Sequence, residues 1–262
     1  MIAHNTWNGV YILTHTIENR IGRRIADGSA CVGAAFEYLQ TYSRIREDDS
    51  VSEDSSQGKQ EQYHHGDLRR ALVEASLEIV EEHGISGLSL RKIARRVGVT
   101  HAAPYRHFDD KAELLAAMAQ EGLDGMHDYM LRHLEEAGDA ADERLLALGV
   151  AYVRFATEKP SHFRVMFGPQ VGDRDRFAEL DAAYDRTFEL LFDAVADCQE
   201  AGVLREGSTL QHARTCWALV HGLSSMCVNG LIPVDDPDEA ERLTRKAAAG
   251  LWYGLSTEGD EP

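Results

Sequence analysis

Residues 88–108 read L-S-L-R-K-I-A-R-R-V-G-V-T-H-A-A-P-Y-R-H-F, and the architecture around them follows from this stretch. It predicts a short helix from about Ser89 to Val97, a turn at Gly98-Val99, and a third helix capped by Thr100 and ending near His107 or Phe108. Two short helices cross steeply only where a small residue lies at the contact and the turn admits a positive φ. Ala94 meets the first need and Gly98 the second, while Ile93, Val97 and Val99 fill the wedge. One side of the third helix then stays open, the arrangement in which its first residues reach base edges in a major groove.

Outward from this core the pattern stays helical. Upstream, Leu68, Leu72, Ala75 and Ile79 recur at three- and four-residue steps, and His83-Gly84 ends the stripe with a C-terminal glycine. Downstream, Asp110 and Glu113 stand in capping-box spacing ahead of Leu114, Leu115 and Met118, opening a longer helix. Further helical patterns cover about 141–158, 161–167, 174–201, 208–229 and 237–255, with no strand signal. The fold class is therefore all-α: an N-terminal three-helix helix-turn-helix domain followed by a helical ligand-binding and dimerisation domain.

Charge isolates the same stretch. The chain carries a net charge of −17, but residues 121–262 hold 13 basic against 27 acidic side chains, while residues 61–120 hold 8 against 9. Within 86–111, Arg91, Lys92, Arg95, Arg96, Arg106 and Lys111 outnumber Asp109 and Asp110. An acidic body repels a polyanion, so the basic island is the face left for one. Around it, Tyr105 and His107 offer donors at the far end of the third helix. Lys111 falls in the first turn of the next helix, where free N–H groups also favour an anion.

The run G-V-T-H-A-A-P-Y-R-H-F-D-D-K, preceded by Y-H-H-G-D-L-R, resembles the start of tetracycline-repressor (TetR) family regulators over about residues 66–115. The resemblance implies phosphate contacts from Thr100, Tyr105, His107 and Lys111, with Ser89 as a further candidate. It places His101, Ala102 and Ala103 towards the bases, and Arg91 towards a base or a phosphate; Arg106 lies in the same surface. Two departures stand out. Pro104 lies inside the third helix and removes a backbone donor, and Asp109 and Asp110 set negative charge beside the expected phosphate path. With alanines at 102 and 103 direct readout is sparse, so DNA shape carries part of the specificity.

In that family the C-terminal helices dimerise and bind ligand, and C-W-A-L-V-H-G-L-S-S-M (216–226) resembles the Trp-His-Gly signature of one subgroup. Trp217, Val220 and Leu223, with Leu251 and Trp252 on the last helix, are candidates for a four-helix homodimer interface; the alternative is internal core. Tyr152, Phe155, Phe163, Phe167, Tyr184 and Phe188 are candidates for an effector pocket, against the plainer reading of aromatic core.

The domain reading is 1–62 as a poorly ordered extension, 63–112 as the helix-turn-helix domain, 113–256 as the effector and dimerisation domain, and 257–262 as a disordered tail. A helix over Ala30–Ile45 and a natural start near Val51 are further expectations for the N-terminal stretch. No cofactor or metal is expected, since His212 and His221, nine apart, lack metal-pair spacing. The four cysteines show no CxxC spacing, which points to reduced thiols in a cytoplasm. No nucleophile elbow, phosphate loop or HExxH is present, so an enzyme is not expected. The leading function is a ligand-responsive repressor binding double-stranded operator DNA as a homodimer, with a small-molecule effector and no membrane. The rival is a helical adaptor or small-molecule-binding protein that reuses the fold without DNA.

Overall fold

The computed structural model describes residues 65–168 and 176–255. The expectations for 1–62, including the Ala30–Ile45 helix and the start near Val51, and for 257–262 lie outside the described residues. Helix α1 is His65–His83, and its stripe of Leu72, Val73, Ala75, Ile79 and Val80 is buried. Gly84, at φ +68°, ends it, and a 3-10 turn at Ile85–Gly87 leads to α2, Leu90–Val97. The Ser89 hydroxyl caps α2 by accepting the Lys92 N–H at 3.3 Å. Gly98 closes it at φ +77°, a conformation that costs any residue with a Cβ. Helix α2 packs on α1, and its Ile93 and Ala94 are wholly buried.

The third helix departs from expectation. Residues 101–103 form a turn, and only Pro104–Arg106 is helical, as a single 3-10 turn whose N-cap position is Ala103 with no side-chain cap. Pro104 has no N–H to return to the Thr100 carbonyl, so that carbonyl takes the Ala103 N–H instead, at 2.9 Å. The His107 and Phe108 N–H groups then both reach the Pro104 carbonyl at 3.0 Å. The element tightens to i→i+3 bonding where a regular α-helix was expected.

Helix α3, Lys111–Glu136, follows after the short stretch 107–110. The expected domain boundary at 112/113 falls inside its first turn. Beyond it come α4 (Ala141–Glu158), α5 (Pro160–Met166), α6 (Ala178–Glu200), α7 (Thr209–Val228) and α8 (Pro237–Leu255). Among the described residues there is no β-strand, and the class is all-α. Helix α6 begins at Ala178, later than the pattern from 174 suggested; Phe177 is its N-cap, with φ −128° and ψ 71°.

Helix α4 is the axis of the C-terminal half and packs against α3, α5, α6, α7 and α8. The short α5 touches α1 as well as α3, so it bridges the two halves. A single hydrophobic cluster runs from Leu72 through Leu123 and Tyr152 to Ala213. The helix-turn-helix therefore shares one core with the body behind it.

Candidate nucleic-acid interface and internal cavity

The turn after α2 presents its polar residues outward. Thr100, His101, Ala102, Tyr105 and Arg106 are exposed, Ala103 and His107 are half-buried, and Pro104 is buried beneath them. Arg91, on the first turn of α2, is exposed on the same element as Ser89. Capping occupies one acceptor site on the Ser89 hydroxyl and leaves its O–H free to donate. Arg96 is spent within the protein: its guanidinium grips the Glu82 carboxylate of α1 at 2.8 and 2.5 Å and meets Glu78 at 3.4 Å. That bidentate pair raises the Arg96 pKa and lowers that of Glu82. One of the six basic residues of the island thus fastens α2 to α1.

Lys111 reaches back to the Ile85 carbonyl, with Nζ donating at 3.1 Å. Burial pulls its pKa below the ordinary lysine value. An ammonium carries three donors, so this bond leaves two for a phosphate. Of the two aspartates beside it, Asp110 has its carboxylate engaged and Asp109 is tied through its backbone N–H. Asp110 Oδ1 accepts the Glu113 N–H at 2.9 Å, and the Glu113 carboxylate accepts the Asp109 N–H at 2.6 Å, a capping box displaced by one residue. Asp110 Oδ2 takes Arg176 Nη1 at 2.7 Å, and this hydrogen bond, followed by that from Glu113, holds the carboxyl below its usual pKa. Arg176 lies just ahead of α6 and was missed in the sequence, because nothing local ties it to a residue 66 positions earlier.

Behind this surface lies a cavity of about 370 Å³ between α3, α4, α6, α7 and α8. Four of the six residues expected in a pocket, Tyr152, Phe167, Tyr184 and Phe188, line it. Phe155 and Phe163 do not. Phe155 is buried edge-on against Tyr129, and Phe163 packs against the rings of Tyr152, Phe167 and His221. Of the residues expected at a dimer interface, Trp217, Val220, Leu251 and Trp252 also line the cavity, and Leu223 does not. The apolar stripe of α7 turns inward over α4, which brings the two predicted sets together as a single wall.

His221 sits behind that wall, one turn after Trp217, with ring centroids 5.1 Å apart. Its Nδ1 lies 2.9 Å from the Tyr152 hydroxyl. Enclosure by aromatic rings lowers its pKa to about 4, because the charged imidazolium would lose its water there. Burial likewise raises the Tyr152 hydroxyl, with a Trp217 hydrogen bond opposing. The Trp217–His221 spacing was legible in the sequence, but its Tyr152 partner was not. Among the described residues no group of three or more His, Cys, Asp or Glu is placed to hold a metal ion, and no helix is long and apolar enough to cross a membrane.

The capped α2 packed on α1, the exposed basic turn and the single shared core define a helix-turn-helix regulator of transcription. Residues 72–118 match the family model for bacterial regulatory proteins of the tetR family, and residues 145–251 match the tetracyclin repressor-like C-terminal domain. The chain belongs to the tetracycline-repressor family. It is 26% identical over 165 residues to the HTH-type transcriptional regulator YobS of Bacillus subtilis, spanning 61% of this chain and 78% of that one. To the class D tetracycline repressor of Escherichia coli it is 41% identical, over 63 residues that make up 24% of this chain and 29% of that one. Among solved structures, a protein of unknown function from Rhodococcus sp. RHA1 is 31% identical with a TM-score of 0.62, covering 76% of this chain and all of that one. The TetR-family regulator PfmR of Thermus thermophilus shares the fold at 24% identity and a TM-score of 0.57, over 69% of this chain and 96% of that one. The chain is a DNA-binding transcriptional regulator.

Proposed function

We propose that this regulator is a ligand-responsive repressor that binds a near-palindromic operator as a cytoplasmic homodimer and releases it when an effector fills the internal cavity. The observation that carries the reading is the path of α3. Its first residue, Lys111, stands at the DNA-facing edge, and further along the same helix Leu123, Met126 and Met130 line the cavity. A second tie supports it: the Tyr184 hydroxyl, on the cavity wall, donates to the Met166 carbonyl at the end of α5, and α5 packs on α1. In this reading Ser89, Arg91, Thr100, Tyr105, Arg106, His107 and Lys111 hold the backbone, while His101, Ala102 and Ala103 face base edges. Residues 63–112 serve as the DNA-binding unit and 113–256 as the effector and dimerisation unit. The dimer face moves to the outer side of α7 and α8, since the inner residues line the cavity. There Leu223 is half-buried, Met226 is 44% exposed, and Gly222, Gly250 and Gly254 have open space above them.

The test is binding of the full chain to the DNA upstream of its own gene, followed by fluorescence anisotropy across a salt series, with footprinting. Saturable binding of a dimer over a near-palindrome, weakening steeply with salt, is the expected outcome. A well-folded dimer that binds no fragment in a genome-wide selection at low salt would establish the adaptor reading instead.

A further inference from the structure

The chemistry of the cavity wall restricts what it can hold. Four buried polar side chains face it, and each is already satisfied within the protein. The Tyr152 hydroxyl is bonded to His221 Nδ1, and the Tyr184 hydroxyl to the Met166 carbonyl. Thr187 and Thr244 return their hydroxyls to the Ala183 and Ala240 carbonyls of their own helices, each at 2.8 Å. The Cys216 thiol, whose pKa burial pushes up to about 11, stays neutral. Two residues of the wall carry charge. Arg245 has a side chain 55% exposed and already held by Glu241 at 2.8 Å, so it belongs to the rim. Asp142 stands in the first turn of α4, and its charge would repel an anion. The rest of the wall is leucine, methionine, valine, alanine, one glycine and aromatic rings, with the thioethers of Met126 and Met130 able to adapt to ligand shape.

A buried ionised group is costly unless a counter-charge or hydrogen bonds replace its water. This wall offers an anion neither, and the body around it, at 13 basic against 27 acidic residues over 121–262, disfavours an anion further. We propose that the cavity takes a neutral, predominantly apolar molecule and buries no ionised group of it. The volume of about 370 Å³ lies near the lower end of the roughly 300–1,000 Å³ usual for small-molecule sites, so the ligand is compact. The proposal rests on the reading of this cavity as the effector site and names the class of effector.

The test uses the neutral fluorophore N-phenyl-1-naphthylamine with the full chain at pH 7.5, detected by energy transfer from Trp217 and Trp252 in the wall. Displacement is then measured with three molecules of one chain length: 1-decanol, decanoate and decylammonium. Decanol should displace the probe at concentrations at least tenfold below either charged analogue. Ala248→Trp, which intrudes on the cavity, should weaken the probe at least tenfold; if that variant unfolds, the smaller Ala248→Leu is measured in its place and should weaken the probe in the same direction. Equal or better displacement by decanoate overturns the proposal in favour of an anion at the Arg245 rim. Equal or better displacement by decylammonium overturns it in favour of a cation at Asp142. Absence of probe binding overturns it too. Operator release separates this claim from the one beneath it. If decanol binds and DNA stays bound, the ligand class holds and the effector reading fails. If only a charged analogue binds and releases DNA, the reverse is true.

Discussion

The α1–α2 pair and the α7–α8 pair each pack helix on helix through apolar residues, yet they bury their stripes in different ways. In the first, Ile93 and Ala94 are fully enclosed and the opposite face carries Arg91, Lys92 and Arg95, so each residue has one place to go. In the second, most apolar residues of α7 and α8 are only half-buried: the inner ones meet a cavity and the outer ones meet solvent. A helix with polar residues on one side declares its orientation. A helix apolar on both sides does not, and it is the second kind that can hold a ligand on one face and a partner on the other.

The contrast is sharpest in stability. Ile93→Ala, at a site with no room to relax, should cost roughly 2–5 kcal/mol in urea unfolding. Val220→Ala, beside existing empty space, should cost nearer ~1 kcal/mol. Equal costs would mean that the α7 face is packed as densely as the helix-turn-helix, which would remove the basis for a ligand site.

His221 gives the C-terminal half its own pH response. Its folded pKa, about 4, lies below the 6.5 of an unfolded histidine, so the unfolded chain binds more protons between those values. Stability contributed by the neutral ring is complete above pH 6.5 and is lost as pH falls towards 4, by roughly 2–4 kcal/mol in total. His221→Asn should flatten the slope of unfolding free energy between about pH 6.5 and about pH 5 relative to the unmodified chain. An unchanged slope would show that His221 is not enclosed by the Tyr152 and Trp217 rings in solution.

On the DNA-facing side the expected effects concern affinity. Lys111→Ala should weaken binding to all sequences alike and lower the slope of log affinity against log salt by about one unit. A weakened affinity with the slope intact would assign Lys111 to holding the Ile85 carbonyl alone. Arg176→Ala should act more gently. It strips Asp110 of its partner beside the DNA path, so affinity should fall by less than tenfold at low salt, while thermal stability stays nearly constant because the pair is exposed. The smallest change expected is a gain. A Cβ on Gly149 would meet Val220 Cγ1 at 3.4 Å, an ordinary contact, so Gly149→Ala should stabilise α4 by up to ~1 kcal/mol in the same urea titration.

Much of the first half was legible because its signals are local. Ser89 caps α2, Gly98 takes a positive φ, and Asp110 caps α3, each within a few residues of the feature it sets. The one local misjudgement was the third helix, where Pro104 weighs more than the pattern around it: a single missing N–H converts an expected α-helix into a turn and one 3-10 turn. The candidate pocket was legible by residue type and not by membership. Phe155 and Phe188 are both aromatic and both buried, and only the course of α4 against α3 and α6 decides that Phe188 meets empty space and Phe155 meets Tyr129.

Residue order along the chain was enough to establish that this protein is all-helical over the described residues, that a helix-turn-helix lies at 88–108, and that positive charge gathers there on an acidic chain. Periodicity, capping and charge act over one or two helical turns, and such short-range terms can be read directly from neighbours. Folding in three dimensions was needed to pair Arg96 with Glu82, to bring Arg176 to Asp110, and to set Trp217, Val220, Leu251 and Trp252 in one cavity wall with Tyr152 and Tyr184. Those pairings join residues well separated along the chain, and they depend on which face of a helix its neighbours leave uncovered.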